Sequence, residues 1–355
     1  MLKDKRNGSV EIIRFFLSFL IVLYHGMYGG YFSVPGGYLA VEAFFIISGY
    51  YLAAHCRKTK NQSAVNICGD TLNYVYRRIV AVYPQMIIGT IIGIFFFYFI
   101  NDWSLLEFLK WLRYTINDLA FLQSFGFPVA SVTGVIWYFS SYLIAIIVLC
   151  PIFTKYGRTF CLYIAPLSAF FISGILIYNF GTFDVPANWI FGIINTGNLR
   201  AISMLCLGGF LYELVPLARS RLRGKTIYIT ILELVLYLCF FLHVYFYSDG
   251  SGMFDEQAVF CFAGALTITE SERSYTTHFK NSKVALYLGK FSSAIFFGHF
   301  IWVQNANALV QKISFWENHA ALVGFIGAMI SSLIVFFLEN PVRRGCHFIR
   351  QSLFT

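Results

Sequence analysis

Apolar residues stand in long continuous runs along this chain, separated by short polar stretches. The runs do not alternate apolar with polar, so they predict helices and not the strands of a barrel. Runs near the roughly 20 residues that carry a helix across about 30 Å of hydrocarbon predict spans at 12–30, 37–54, 83–100, 135–154, 160–179, 197–216, 226–247, 254–270, 284–304 and 320–339. The fold class expected is therefore an all-α polytopic membrane protein of about ten transmembrane helices. One long interval of mixed character, from Asn101 to Thr133, breaks the rhythm. Its middle, WSLLEFLKWLRYTINDLAFL, sets Trp103, Leu106, Leu109, Trp111 and Leu112 among Glu107, Lys110 and Arg113. That mixture predicts a helix lying in the membrane interface.

Composition agrees with the runs. Of 355 residues 58% are hydrophobic and 12% charged, where a soluble domain carries about a quarter charged. Charge then orients the spans. With a cytoplasmic N-terminus, 20 of the 26 basic residues fall in inner segments. Only Lys110, Arg113 and Lys312 fall outside, while Arg14, Arg200 and Lys290 lie at or inside helix ends. The positive-inside rule thus predicts that both termini are cytoplasmic. The net charge of +9 is spread over the inner loops, which suits topology and lipid headgroups and argues against nucleic acid as a partner.

The first run follows a basic start, as a signal peptide would, but no small-residue cleavage site follows it, so it is expected to stay as an anchor. The eight cysteines fall in spans or inner segments without zinc spacing, which predicts reduced packing residues and no metal. No linker, repeat or low-complexity block divides the chain, and residues 1–355 read as a single integral membrane domain.

Candidate chemistry begins in the first run, EIIRFFLSFLIVLYH, with Arg14 and His25. Eleven helical residues put the two about 20° apart in azimuth and about 16 Å apart along the axis. One elongated ligand can touch both: a guanidinium suits phosphate, and a neutral imidazole suits proton transfer. Each residue also has a plain reading, Arg14 reaching to headgroups and His25 bonded within the helix packing. Glu42 lies inside the second run, where an isolated carboxylate is costly. It is expected to orient His25 or to balance a nearby cation. His299, fifteen residues into the ninth run, reads as an acceptor contact or as a packing histidine. Lys290 either snorkels or meets phosphate, and Arg200 is undecided in the same way.

The second run, GGYLAVEAFFIISGYYL, resembles the Gly-x-x-Gly-Val-(Asp/Glu)-x-Phe-Phe-x-Ile-Ser-Gly-Phe signature of the acyltransferase 3 family of integral membrane acyltransferases. The family's Arg-x10-His pattern in the first helix is matched by Arg14 and His25. In order, YRRIVAVYP, WYFSSYLIAIIVLCPI, YLGKFSSAIFFGH and FFLENPVRR resemble its later motifs, so the likeness runs through essentially the whole chain.

The resemblance implies transfer of an acyl group, usually acetyl, from cytoplasmic acyl-coenzyme A to a hydroxyl of a cell-surface or lipid-linked polysaccharide, in the multi-pass setting of a bacterial plasma membrane. On it, Arg14, Arg77 and Arg78 are expected to hold the donor phosphates. His25, kept neutral by desolvation, is expected to act as general base, with Glu42 beside it in the catalytic set. Trp137, Ser140 and His299 are expected on the acceptor side. Acetyl-coenzyme A enters as donor substrate, and no permanently bound cofactor is implied. The interfacial helix is then either a plain surface element or a cover over the acceptor.

The sequence departs from the family in two places. Arg78 is followed three positions later by Ala81 where many members repeat an arginine, which puts a second phosphate contact there in doubt. Many members also carry a glutamate after the Trp-x-Leu-Ser stretch, and here Ser141, Tyr142 and Leu143 follow Trp137 to Ser140, so no carboxylate is expected to act from that helix. No extracytoplasmic hydrolase-like domain follows the last run, so transfer is expected of the membrane domain itself or of a partner. Succinyl or another short acyl group, and direct transfer or an acyl-His25 intermediate, remain alternatives. So does a different class of protein, a transporter or flippase for a lipid-linked sugar or acyl group, although no paired broken helices mark two inverted halves.

Overall fold

A computed structural model describes residues 7–27, 34–58, 63–127, 131–186, 188–190, 192–222, 226–246, 254–313 and 319–354. Lys3, Lys5, Arg6, Lys60, Arg223 and Lys225 of the predicted inner segments lie outside the described residues, as does the side chain of Arg350. The helices in chain order are α1 (Gly8–Met27), α2 (Leu39–Lys58), α3 (Ala64–Asn101), α4 (Leu105–Leu119), α5 (Ile136–Thr159), α6 (Ala165–Phe180), α7 (Thr196–Arg221), α8 (Thr226–Phe246), α9 (Asp255–Ser271), α10 (Lys283–Gly298), α11 (Phe300–Gln304), α12 (Ala306–Ile313) and α13 (Ala320–Phe354). A short antiparallel pair, β1 (Trp189–Ile190) and β2 (Ile194–Asn195), precedes α7. The Asn195 side chain then caps α7 by accepting from the Gly197 N–H at 2.9 Å.

Every predicted span falls on a helix, with α10 and α11 sharing 284–304. Seven segments among the described residues are long and apolar enough to cross a membrane. Two differences separate this from the ten predicted spans. Ile136–Phe180 forms one 45-residue helical stretch, about twice what a bilayer needs, and it breaks at Gly157, where φ is 47° and ψ is −121°. α9 and α10, at 17 and 16 residues, are short for a full crossing. Large side chains such as Phe171, Tyr178 and Phe337 point outward and stay exposed, as expected where the surrounding solvent is lipid.

The chain divides into two compact units. One holds residues 1–21, 34–75 and 138–289, the other 22–33, 76–137 and 290–355. In the first unit α2 and α7 run side by side. A methyl group at Gly49 would meet the backbone of Leu205, and one at Gly208 the carbonyl of Ile46; small residues let membrane helices approach this closely.

In the second unit α4 is the predicted interfacial helix. The Ser104 hydroxyl accepts from the Glu107 N–H, and the Glu107 carboxylate accepts from the Ser104 N–H at 2.8 Å, a reciprocal cap. These Ser104 donors hold Glu107 below the usual carboxylate range. Leu105, Leu109, Leu112 and Ile116 form its exposed apolar stripe, whereas Thr115 and Asp118 are buried.

Candidate functional site

His25 and His299 are 274 residues apart in sequence and adjacent in the second unit. His25 lies near the end of α1, and His299 sits at the junction of α10 and α11. Two close crossings hold the junction: a methyl group at Gly89 of α3 would meet the Phe297 carbonyl, and one at Gly298 would meet the backbone of Ser332 in α13. His299 is fully buried, whereas His25 is half-buried. Their rings stack with centroids 5.1 Å apart, and the Phe300 ring stands edge-on to His25 at 4.8 Å.

Hydrogen bonds fix the tautomers of this pair. His299 Nδ1 is 2.7 Å from the Ile295 carbonyl, which can only accept, so Nδ1 carries a proton. In a neutral ring Nε2 is then the acceptor. The neighbour of Nε2 is His25 Nδ1, at 2.9 Å, which must therefore be the donor. In neutral His25 the unprotonated nitrogen is then Nε2, which has no hydrogen-bond partner among the described residues. A backbone carbonyl thus decides, two rings away, which nitrogen can take a proton.

A second cluster lies nearer the N-terminal end of α10. Glu339 of α13 accepts from Gln85 Nε2 of α3 at 2.9 Å through Oε2 and from Arg343 Nη2 at 2.7 Å through Oε1, and Lys290 Nζ of α10 stands 3.6 Å from Oε2. Ser293 bonds the Gln85 carbonyl oxygen. Glu339 is buried, while Lys290 and Arg343 stay well over a third exposed. Three sequence motifs that look unrelated, the stretch after YRRIVAVYP, the LGKFSS segment and LENPVRR, therefore meet on one carboxylate. Nine residues of helix separate Lys290 from His299, about 13 Å.

The remaining predicted residues fall as follows. In the first unit, Arg14 Nη1 donates to both oxygens of buried Glu11, at 3.1 and 2.9 Å, and its guanidinium stands 6.0 Å from the Phe44 ring centroid. Of the two roles open to Glu42, the structure shows the one with a cation: Arg200 Nε and Nη2 donate to its two oxygens at 2.6 and 2.9 Å, in a pair that is almost fully buried. Ser140 is buried in α5 of the same unit. In the second unit, Arg77 is exposed and Arg78 half-buried on α3, and the Trp137 carbonyl accepts from Ser124 Oγ at 3.1 Å. Sequence reasoning missed the pairing of His25 with His299 and the meeting of Gln85, Lys290 and Arg343 at Glu339. The one available signal was that Lys290, Ser293 and His299 share a single run. Among the described residues no group of three or more His, Cys, Asp or Glu side chains is arranged to hold a metal ion.

A family model described as an acyltransferase domain matches residues 7–338 and so runs through both units. No curated protein and no solved structure matches the chain.

Proposed function

Because the chain belongs to the acyltransferase 3 family of membrane acyltransferases, we propose that it moves an acetyl or other short acyl group from cytoplasmic acyl-coenzyme A to a hydroxyl of a cell-surface or lipid-linked polysaccharide. The observation that carries this reading is the bare Nε2 of His25, set by the order Ile295 carbonyl, His299, His25. That nitrogen takes the proton of the acceptor hydroxyl as its oxygen attacks the thioester carbon. The carbon–sulfur bond breaks, and the departing thiolate receives the proton from the His25 imidazolium. His299 plays the orienting part, accepting from His25 Nδ1 throughout and stabilising the charged ring.

The donor runs from the cytoplasmic side. Arg14, eleven residues before His25 on α1, meets the phosphates through charge-assisted bonds, a role equally open to Arg77, Arg78 and Lys290. The pantetheine arm brings the thioester outward to His25. Glu42 acts by holding Arg200 within the fold and not on the reacting atoms, and Trp137 and Ser140 belong to the acceptor side. This reading takes the chain as ten spans with both termini cytoplasmic in a bacterial plasma membrane, the arrangement favoured by the distribution of basic residues.

The test is transfer of radiolabel from acetyl-coenzyme A to surface glycan in membranes containing wild type, His25→Ala or Arg14→Ala at matched protein levels. Loss of transfer with His25→Ala and weaker donor affinity with Arg14→Ala are expected. Normal transfer in both variants overturns the mechanism, and export of glycan without any label transfer replaces it with transport.

A further inference from the structure

The buried face of the outer segment in the second unit carries oxygen atoms that the fold itself does not use. Asp118 of α4 is 0% exposed, and neither carboxylate oxygen has a hydrogen bond of good geometry. The Ser131 hydroxyl and the Val132 N–H act on it as weak donors. Gln123 Oε1 and Thr133 Oγ1, from the stretches on either side, are also buried without partners. A buried polar atom left unpaired is costly, and folded proteins rarely tolerate several together without a ligand or water to satisfy them.

The return stretch ties these atoms to the base. A side chain at Gly134, where φ is +65°, would be strained and would also fall inside the Phe300 ring. The backbone at Gly134 therefore lies directly against Phe300, which also stands edge-on to His25 at 4.8 Å between centroids. Two residues earlier, Val132 packs against Gly93. Asp118 and Thr133 thus border the segment that touches the ring beside His25.

From this arrangement the geometry points to an acceptor subsite in which Asp118, with Thr133 and Gln123, takes hydrogen bonds from the hydroxyl groups of a sugar held beside His25. The proposal rests on the acyl-transfer reading and gives it the part of the protein that recognises the acceptor. Oxygen acceptors suit a polyol, which brings several O–H donors at once, whereas the carboxylate disfavours a phosphate or another acid. Burial is the largest influence on Asp118 and lifts its carboxyl to about 7, against the opposing pull of Ser131 and Val132. A hydroxyl donor arriving there supplies what the fold lacks.

The test uses the full chain in nanodiscs, radiolabelled acetyl-coenzyme A as donor, and isolated surface glycan of the source cells titrated as the acceptor probe. Asp118→Leu is expected to raise the apparent KM for glycan at least tenfold while the KM for acetyl-coenzyme A stays within twofold. Thr133→Val is expected to raise the glycan KM about threefold. Because Asp118→Leu removes an unpaired buried carboxyl, it is also expected to melt no lower than wild type, which a structural aspartate would not allow. An unchanged glycan KM in Asp118→Leu, or a lower melting temperature with donor and acceptor KM rising together, overturns the subsite while acyl transfer stands. Wild type that transfers no label overturns the acyl-transfer reading and the subsite with it.

Discussion

Glu42 with Arg200 in the first unit and His25 with His299 in the second are both pairs of ionisable side chains sunk in apolar helices, and they are built in opposite ways. In the first, two donor nitrogens meet two acceptor oxygens at 2.6 and 2.9 Å, and neither side chain is more than 1% exposed. The Glu42 carboxylate has both oxygens engaged within the pair. In the second, one hydrogen bond joins the rings, another anchors His299 to backbone, and the other nitrogen of half-buried His25 has no partner among the described residues. Burial is common to both pairs; a polar atom that the fold leaves without a partner sets the second apart.

The largest effect expected is from His25→Ala, which should lower acyl transfer by a factor on the order of 10²–10⁴ with little change in folded protein; radiolabel transfer at matched expression measures it. Breaking the other pair should act on folding instead. Glu42→Ala leaves a buried guanidinium uncompensated, a loss on the order of 3–5 kcal/mol, read as a fall in melting temperature and in membrane yield. Replacing both members, Glu42→Leu with Arg200→Met, should recover most of that stability. If the double variant folds but transfers nothing, the first pair is chemical after all.

His299→Ala should reduce transfer about 10- to 100-fold, and His299→Gln should recover part of it, because an amide oxygen can still accept from His25 Nδ1. Equal loss in both variants would remove His299 from its orienting part.

A smaller effect concerns pH. Asp118 titrates near 7 in the folded chain against an ordinary value of 3.8. Between those values the folded state holds a proton that the unfolded state has released. Its contribution is therefore fully present below about pH 4 and is lost as pH rises through about 7. Wild type should melt lower at pH 7.5 than at pH 5, and Asp118→Leu should flatten that slope. The least effect is expected from Ser104→Ala, which removes one half of the α4 cap and should change transfer less than twofold in the same radiolabel assay.

The apolar runs made the helices legible because each span needs only local hydropathy. The break at Gly157 falls in the gap between the predicted spans 135–154 and 160–179, whereas the run 284–304 gave no sign of its division into α10 and α11 at His299. Arg14, His25, Glu42 and His299 were all marked by being ionisable in apolar surroundings. Their partners were not legible, since Glu42 finds Arg200 across 158 residues and His25 finds His299 across 274, and no local pattern encodes such distances. Asp118 was hidden for a different reason. On an amphipathic helix an aspartate reads as part of the wet face, and only the packing of residues 131–134 reveals that this one is buried.

The chain of bonds that sets His25 ends at the carbonyl of Ile295, and a peptide carbonyl has no proton to give and does not carry one onward. A proton captured by His25 consequently has a single exit, back through the nitrogen by which it came. Histidines in series within a membrane invite comparison with proton wires, but this series is closed at the Ile295 carbonyl. On the acyl-transfer reading, each turnover returns its proton to the leaving group and none travels along the pair.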